Sequence, residues 1–108
     1  MPATITGALG QSSPAAAVLT TAYTVPAGRR ASVRVVCTNR GTASTFRVAV
    51  APNGVGDTAS QYIAYDKAIA DHDSLATVPM TLGSGDEVRV YSPTGLHSFT
   101  VTGYEQDE

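Results

Sequence analysis

Apolar and polar residues alternate along two neighbouring stretches of the chain, Val33–Thr38 and Thr45–Val50. Successive side chains of a β-strand point to opposite faces, so a period of two with β-branched residues predicts two half-buried strands. The residues on the apolar faces are Val33, Val35, Cys37, Phe46, Val48 and Val50. Turn-forming residues, Asn39–Thr42, separate the two stretches. We therefore expect a hairpin that brings both apolar faces into one core.

Similar alternation recurs at short intervals along the rest of the chain, and no stretch sustains helical spacing. Turns rich in Gly and Pro, such as Pro26–Gly28 and Gly83–Asp86, separate the stretches. The further predicted strands are Val18–Val25, Gln61–Asp66, Leu75–Leu82, Glu87–Ser92 and Ser98–Tyr104. Pro79 interrupts one of them, which predicts an edge strand or a bulge. This pattern predicts an all-β protein with a single β-sandwich or jelly-roll-like domain of seven to eight short antiparallel strands.

The two ends of the chain differ from the middle in composition. Residues 1–17 are rich in Gly, Ser, Pro and Ala and have too few apolar residues to fold alone. We therefore divide the chain into an extended N-terminal arm (1–17), a β-sandwich domain (18–104) and an acidic C-terminal tail (105–108). The arm either lies on a neighbouring subunit or packs on its own domain. Docking on a neighbour is our working hypothesis.

Composition excludes several classes of function. Only 15% of the 108 residues are charged, below the usual quarter, which favours a protein packed against neighbours. Proteins that bind nucleic acid usually carry an excess of positive charge, whereas the net charge here is −2. No nucleic-acid partner is therefore expected. No stretch is long enough to span a membrane and no signal peptide is visible, so no membrane partner is expected. The single Cys37 lies on an apolar strand face, which fits folding in a reducing cytoplasm.

Candidate chemistry is weak throughout the chain. Asp71-His72-Asp73 is the best candidate metal cluster, but a second His at ligand spacing is missing because His97 is remote in sequence. There is no Gly-x-Ser-x-Gly motif, and no spacing singles out a pair of carboxylates. We therefore expect no metal site, no cofactor, no catalytic residue and no enzymatic activity.

Six of the seven cationic residues are arginines, and protein interfaces favour Arg and Tyr while they disfavour Lys. The interface candidates are Arg29, Arg30, Arg34, Arg40, Arg47 and, in the arm, Ile5 and Leu9. Arg34 and Arg47 are expected side by side on adjacent strands, where the alternative is a solvated face with acidic neighbours. Three tyrosines could stack on sugars or pack in the core; these are Tyr62, Tyr65 and Tyr104.

Several motifs together resemble small virion proteins of tailed bacteriophages, over residues 19–104. They are YTVPAG at 23–28, VRVVCTNRG at 33–41, TFRVAVAP at 45–52, QYIAYD at 61–66 and GDEVRVYS at 85–92. Val25–Gly28 and Gly85–Val88 are also similar to the strand-entry motifs of trimeric C1q- and TNF-like jelly rolls. That second resemblance implies a homotrimer or another homo-oligomer.

The resemblance implies a structural component of a bacteriophage virion, folded in the host cytoplasm. Such a protein would decorate or reinforce the capsid or tail by binding across subunit junctions, with major capsid or tail subunits as its partners. The resemblance carries no catalytic residues. The alternative is a receptor- or glycan-binding module of a phage tail fibre, which an exposed cluster of tyrosines in a groove would favour.

Overall fold

The computed structural model describes residues 4–107. These residues form nine strands and two single-turn 3-10 helices, Pro52–Gly54 and Ala59–Gln61. The strands are β1 (Thr4–Ser12), β2 (Thr20–Thr24), β3 (Arg29–Asn39), β4 (Ser44–Ala51), β5 (Tyr62–Ile69), β6 (Ser74–Ala76), β7 (Met80–Leu82), β8 (Glu87–Tyr91) and β9 (His97–Asp107). Within this range no helix is long and apolar enough to cross a membrane.

The strands form two antiparallel sheets. The first has the order β1-β9-β3-β6, with β7 also paired to β3, and the second has the order β2-β8-β4-β5. The pairing is nested along the chain: β1 pairs with β9, β2 with β8, β3 with β6 and β7, and β4 with β5. A long hairpin rolled into two facing sheets has this order, which is that of a jelly roll. The predicted all-β sandwich is therefore confirmed.

Pro79 divides one edge strand into β6 and β7, as its position in the sequence predicts. β6 pairs with β3 at Val36–Thr38 and β7 pairs with it at Ala31–Val33. Between them Thr77 donates its backbone N–H to the Val35 carbonyl at 2.8 Å and accepts from the Val35 N–H through its hydroxyl at 3.0 Å. A proline has no N–H for a ladder, so the interruption falls on the edge of the sheet, where the lost hydrogen bond costs least.

The predicted hairpin between the two alternating stretches is wrong. β3 lies in the first sheet and β4 in the second, so residues 40–43 cross from one sheet to the other. The buried Asn39 side chain holds this crossing, because its amide donates to the carbonyls of Thr42 at 2.8 Å and Ala70 at 3.0 Å. The predicted proximity of Arg34 and Arg47 is wrong for the same reason, since they lie on different sheets.

The core lies between the two sheets and contains the residues that alternation places inward. Val33, Val35 and Cys37 are buried from the side of the first sheet, and Phe46 and Val48 from the side of the second. Val50 is partly buried and packs against the same cluster. The rings of Phe46 and Phe99 meet edge to face with their centroids 6.1 Å apart, a preferred aromatic geometry.

Thr4–Ser12 and residues 105–107, within the two predicted terminal segments, belong to the sandwich, which corrects the predicted division of the chain. β1 pairs with β9 from Thr4 to Ser12, so this part of the predicted arm is an edge strand of its own domain. A Cβ at Gly10 would lie 2.3 Å from the Ala22 carbonyl oxygen, so β1 approaches β2 closely and closes that side of the sandwich. β9 runs on to Asp107, so the predicted acidic tail is largely strand. A backbone ladder orders β1 despite its low apolar content.

Candidate functional site

A β-bulge in β5 organises the outer face of the second sheet. Phe46 of β4 is paired with Lys67 and Val48 with Ala64, so two residues of β5, Tyr65 and Asp66, face the single residue Arg47. Asp66 has φ of 50°, in the left-handed region that residues other than glycine seldom occupy. A bulge of this kind redirects side chains. Here it turns Tyr65 and Asp66 together onto Arg47.

The Arg47 guanidinium is held by a carboxylate and by two rings. Its Nε donates to Asp66 Oδ1 at 2.7 Å and its Nη2 donates to Asp66 Oδ2 at 3.3 Å. Its Cζ lies 4.1 Å from the centroid of the Tyr65 ring and 4.7 Å from that of Tyr91. Two-point pairing with a carboxylate and cation–π contact both restrict the orientation of the guanidinium.

Tyr62 completes a group that we name the outer cluster: Arg47, Tyr62, Tyr65, Asp66 and Tyr91. The Tyr62 and Tyr65 rings meet edge to face, with centroids 4.9 Å apart and an interplanar angle of 88°. The Tyr62 hydroxyl donates to Asp57 Oδ2 at 3.2 Å. Beside these rings is a depression of about 480 Å³ lined by Arg47, Asp57, Ala59, Tyr62 and Tyr65. Tyr65 is 59% exposed, so its ring is accessible from this depression.

The charges of the outer cluster are set by its own contacts. The hydrogen bonds from Arg47 lower the pKa of the Asp66 carboxyl, and the same bonds raise the pKa of Arg47. Desolvation raises the pKa of Tyr62, and its hydrogen bond to Asp57 adds to the effect. At neutral pH the cluster therefore contains an ion pair and a protonated Tyr62 hydroxyl.

A second surface feature lies where the sandwich is open. β5 and the β6–β7 strand are the facing edges of the two sheets, and between them is an apolar groove of about 310 Å³. We call it the open-edge groove. Its lining includes Phe46, Ile63, Leu75 and Val78, with Lys67 as its charged residue. Val78 is 69% exposed and Ile63 is 40% exposed, so the groove presents apolar surface to solvent.

Four of the five arginines predicted as interface candidates have partners within the chain. Arg29 lies 3.7 Å from Glu105 and 3.8 Å from Asp107. Arg40 donates to the Ser13 hydroxyl at 2.9 Å and to the Gly95 carbonyl at 3.1 Å. Arg30 lies beside the Gln106 amide, whose oxygen accepts from the Arg30 Nε at 3.0 Å in the orientation that satisfies both groups. The fourth is Arg47, which pairs with Asp66.

The other predicted interface residues are scattered. Arg34 is exposed on the outer face of the first sheet, paired with Thr102 of β9. Leu9 is partly buried and packs against the core, so its side chain serves the fold. The Ile5 side chain lies outside the described residues. The predicted set therefore does not form one patch, and its role in an interface stays a prediction.

A buried group that the sequence did not reveal joins the two sheets near the C-terminal end. The Tyr23 hydroxyl of β2 donates to Glu105 Oε2 of β9, and Arg29 of β3 lies beside the same carboxylate. We call Tyr23, Arg29 and Glu105 the inner trio. Burial, followed by the hydrogen bond to Glu105, raises the pKa of Tyr23. A run of acidic residues at a chain end is ordinarily solvated, so nothing in the pattern marked Glu105 as buried.

The residues considered for metal binding or nucleophilic chemistry have separate places. His72 is exposed at a turn and contacts the adjacent Asp71, whereas His97 is buried and shares a hydrogen bond of 2.5 Å with the Ser92 hydroxyl. Among residues 4–107 no group of three or more His, Cys, Asp or Glu side chains is arranged to hold a metal ion. Burial raises the pKa of the Cys37 thiol to about 12. The thiol is therefore protonated at neutral pH and is a poor nucleophile.

Comparison with known proteins gives little beyond this geometry. No protein-family model and no curated protein matches the chain. Among solved structures the chain is similar to one described as the structure of infectious bursal disease virus Gx strain, at 13% identity and a TM-score of 0.47. The match covers 98% of this chain and 32% of that one. A likeness at this level supports no argument about function.

Proposed function

We propose that the chain is a non-enzymatic structural component of a bacteriophage virion. It decorates or reinforces the capsid or tail by binding across subunit junctions, alongside further copies of itself. The resemblance of its motifs to those of small tailed-phage virion proteins supports the assignment to a phage particle. The open-edge groove is the observation that supports this mechanism, because exposed apolar side chains at the edges of both sheets line it together.

Single exposed apolar residues are normal on protein surfaces, but contiguous ones at a groove are typical of interaction sites. Val78, Ile63 and Leu75 border the groove and Phe46 connects it to the core. A partner side chain that enters the groove would remove this surface from water without any change in the fold. Each contact of this kind adds buried area at a subunit junction.

The backbone at the same edges is protected against pairing with another strand. β5 contains the bulge at Asp66 and the charged Lys67, and Pro79 interrupts the facing edge. Bulges, charges and prolines are the features by which native edge strands avoid edge-to-edge association. Contact through the groove therefore uses side chains. Many weak contacts on a symmetric particle act at high effective concentration and together give firm attachment.

The test is co-sedimentation of purified protein with particles that lack it. Val78→Asp places a charge at the mouth of the groove, and we expect about 30-fold weaker binding, as for loss of an interface hot spot of about 2 kcal/mol. The matched control is Val18→Asp, which introduces the same charge at another exposed valine outside the groove. Both variants should melt like the wild type. Equal binding by the two variants would overturn the proposal.

A further inference from the structure

We propose that the outer cluster and its depression bind a neutral carbohydrate of one or two rings. The sugar ring stacks on the exposed Tyr65 ring, beside the perpendicular ring of Tyr62, and its hydroxyls bond to Asp57 at one end and Arg47 at the other. This site is on the outer face of the second sheet, whereas the open-edge groove lies between the two sheets. It therefore adds a binding function to the proposed structural role.

The backbone irregularity of β5 is the first argument for this site. Tyr62 and Tyr65 are three apart, and on a regular strand they would point to opposite faces. The register between β4 and β5 shifts twice, once between Phe46 and Val48 and again between Val48 and Ala49. The second shift leaves Ile63 as an extra residue between the pairs Val48–Ala64 and Ala49–Tyr62, so it reverses the alternation and brings the Tyr62 and Tyr65 rings to one face. The two shifts interrupt the hydrogen-bond ladder and leave Asp66 at a positive φ. Strained backbone of this kind is found most often at functional sites.

The size and lining of the depression are the second argument. Its volume of about 480 Å³ is within the range of small-molecule sites, about 300–1,000 Å³. Aromatic rings form one wall and the small side chain of Ala59 leaves the space beside them open. A pyranose has a face of C–H groups, which the electron-rich face of an aromatic ring attracts.

The polar side chains at the depression can form hydrogen bonds with the hydroxyl groups of a sugar. Sugar hydroxyls donate and accept hydrogen bonds, and the depression offers both an acceptor and a donor. Asp57 provides carboxylate oxygens and is oriented by the Tyr62 hydroxyl, while Arg47 is held in place by Asp66. Because these groups are already oriented, a ligand loses little additional side-chain entropy on binding.

The charge balance favours a neutral ligand over an anionic one. Asp66 already takes two hydrogen bonds from Arg47. Asp57, which lines the depression, is a further carboxylate close to the same guanidinium, so Asp57, Asp66 and Arg47 together carry a net negative charge. An acidic sugar or a phosphate would meet net negative charge here and would be repelled.

The experiment is saturation-transfer-difference NMR on the full chain with maltose, lactose, mannobiose and N,N′-diacetylchitobiose, and with N-acetylneuraminic acid as the anionic comparison. We expect transfer to the ring C–H protons of at least one neutral sugar and none to the acid. Tyr65→Ala should weaken binding of that sugar at least about tenfold, the loss expected when an anchoring aromatic is truncated. Asp57→Ala should weaken it too.

The controls separate this site from other surfaces. Tyr104→Ala removes an exposed tyrosine of the first sheet, and Val78→Asp alters the groove, so both should bind the sugar like the wild type. Circular dichroism melts confirm that the Tyr65 and Asp57 variants are folded. The proposal is overturned if no neutral sugar receives transfer, if the acid alone does, or if Tyr65→Ala binds unchanged. Unchanged binding by Tyr65→Ala would mean that the sugar contacts another surface of the protein.

Discussion

The inner trio and the outer cluster use the same residue types in opposite surroundings. Tyr23, Arg29 and Glu105 meet at the interface of the two sheets, where Glu105 is 6% exposed. Tyr65, Arg47 and Asp66 meet on the outer face, where Tyr65 is 59% exposed. Each group contains one carboxylate and one guanidinium with an aromatic hydroxyl nearby. Their contacts differ, since Tyr23 donates to Glu105 whereas the Tyr65 ring faces Arg47, but the larger difference is the access of water.

The access of water determines whether each group contributes to the stability of the fold or is available for binding. Buried polar groups must be satisfied by one another, since water cannot replace a lost partner, so removal of one is strongly destabilising. Exposed ion pairs contribute little because water and salt compete with them. The inner trio therefore holds β2 of one sheet against β3 and β9 of the other, whereas the outer cluster is available to a ligand.

The largest effect is expected for Glu105→Ala. This change leaves the Tyr23 hydroxyl without its acceptor and removes one of two carboxylates beside Arg29. We expect a loss of about 3 kcal/mol in the free energy of unfolding, the low end for breaking a buried pair because Arg29 keeps Asp107 and some solvent. Urea denaturation measures it. A loss below about 0.5 kcal/mol, the level of ordinary surface substitutions, would show that the inner trio is not structural.

Tyr23→Phe is expected to have the next largest effect. It removes only the hydroxyl and retains the ring in the core. A hydrogen bond to a charged group contributes about 1.5–3 kcal/mol, and we expect a loss near the lower figure because Arg29 still faces Glu105. Tyr65→Phe is the matched control, and its unfolding curve should overlay that of the wild type. Equal losses in both variants would remove the distinction between the two groups.

The two histidines extend the comparison to pH. Burial, followed by the charge of Arg40, lowers the pKa of His97. Ser92 accepts from the Gly95 N–H and shares a hydrogen bond with Nδ1, while Nε2 has no acceptor within residues 4–107. The unfolded chain, with the ordinary histidine pKa of 6.5, therefore binds a proton more readily than the folded chain. The free energy of unfolding should fall as the pH drops below that value.

Urea denaturation between about pH 7.5 and 5.5, where histidine titrates, measures this slope. His97→Phe should flatten it, whatever its effect on stability at neutral pH. The control is His72→Gln, which alters an exposed histidine and should retain the slope of the wild type. A slope that survives in His97→Phe would assign the pH dependence to another group.

The smallest effect on stability is expected for Asp66→Asn. The pair with Arg47 is exposed, so its loss should leave the melting temperature unchanged within error. The change should nevertheless weaken sugar binding, because Arg47 would lose the carboxylate that orients it. Calorimetry and the NMR assay on one preparation measure both. A clear drop in melting temperature would show that the outer cluster also supports the fold.

The sequence by itself determined the local features of the sandwich. Alternation identified the inward residues of β3 and β4, and Pro79 identified an interrupted edge strand. These predictions held because each depends on the chemistry of a residue and its immediate neighbours. A side chain on the apolar face of a strand must find a core, whichever sheet the strand joins.

Only the tertiary structure decided which strands are neighbours and where the backbone departs from regularity. Alternation is the same whether β3 pairs with β4 or faces it across the core, so the hairpin prediction failed. Glu105 is buried only because β9 continues between β1 and β3. Tyr62 and Tyr65 share a face only because β5 bulges against β4. Strand partners and the bulges of β5 depend on residues distant in sequence, so the local pattern of residues did not predict them.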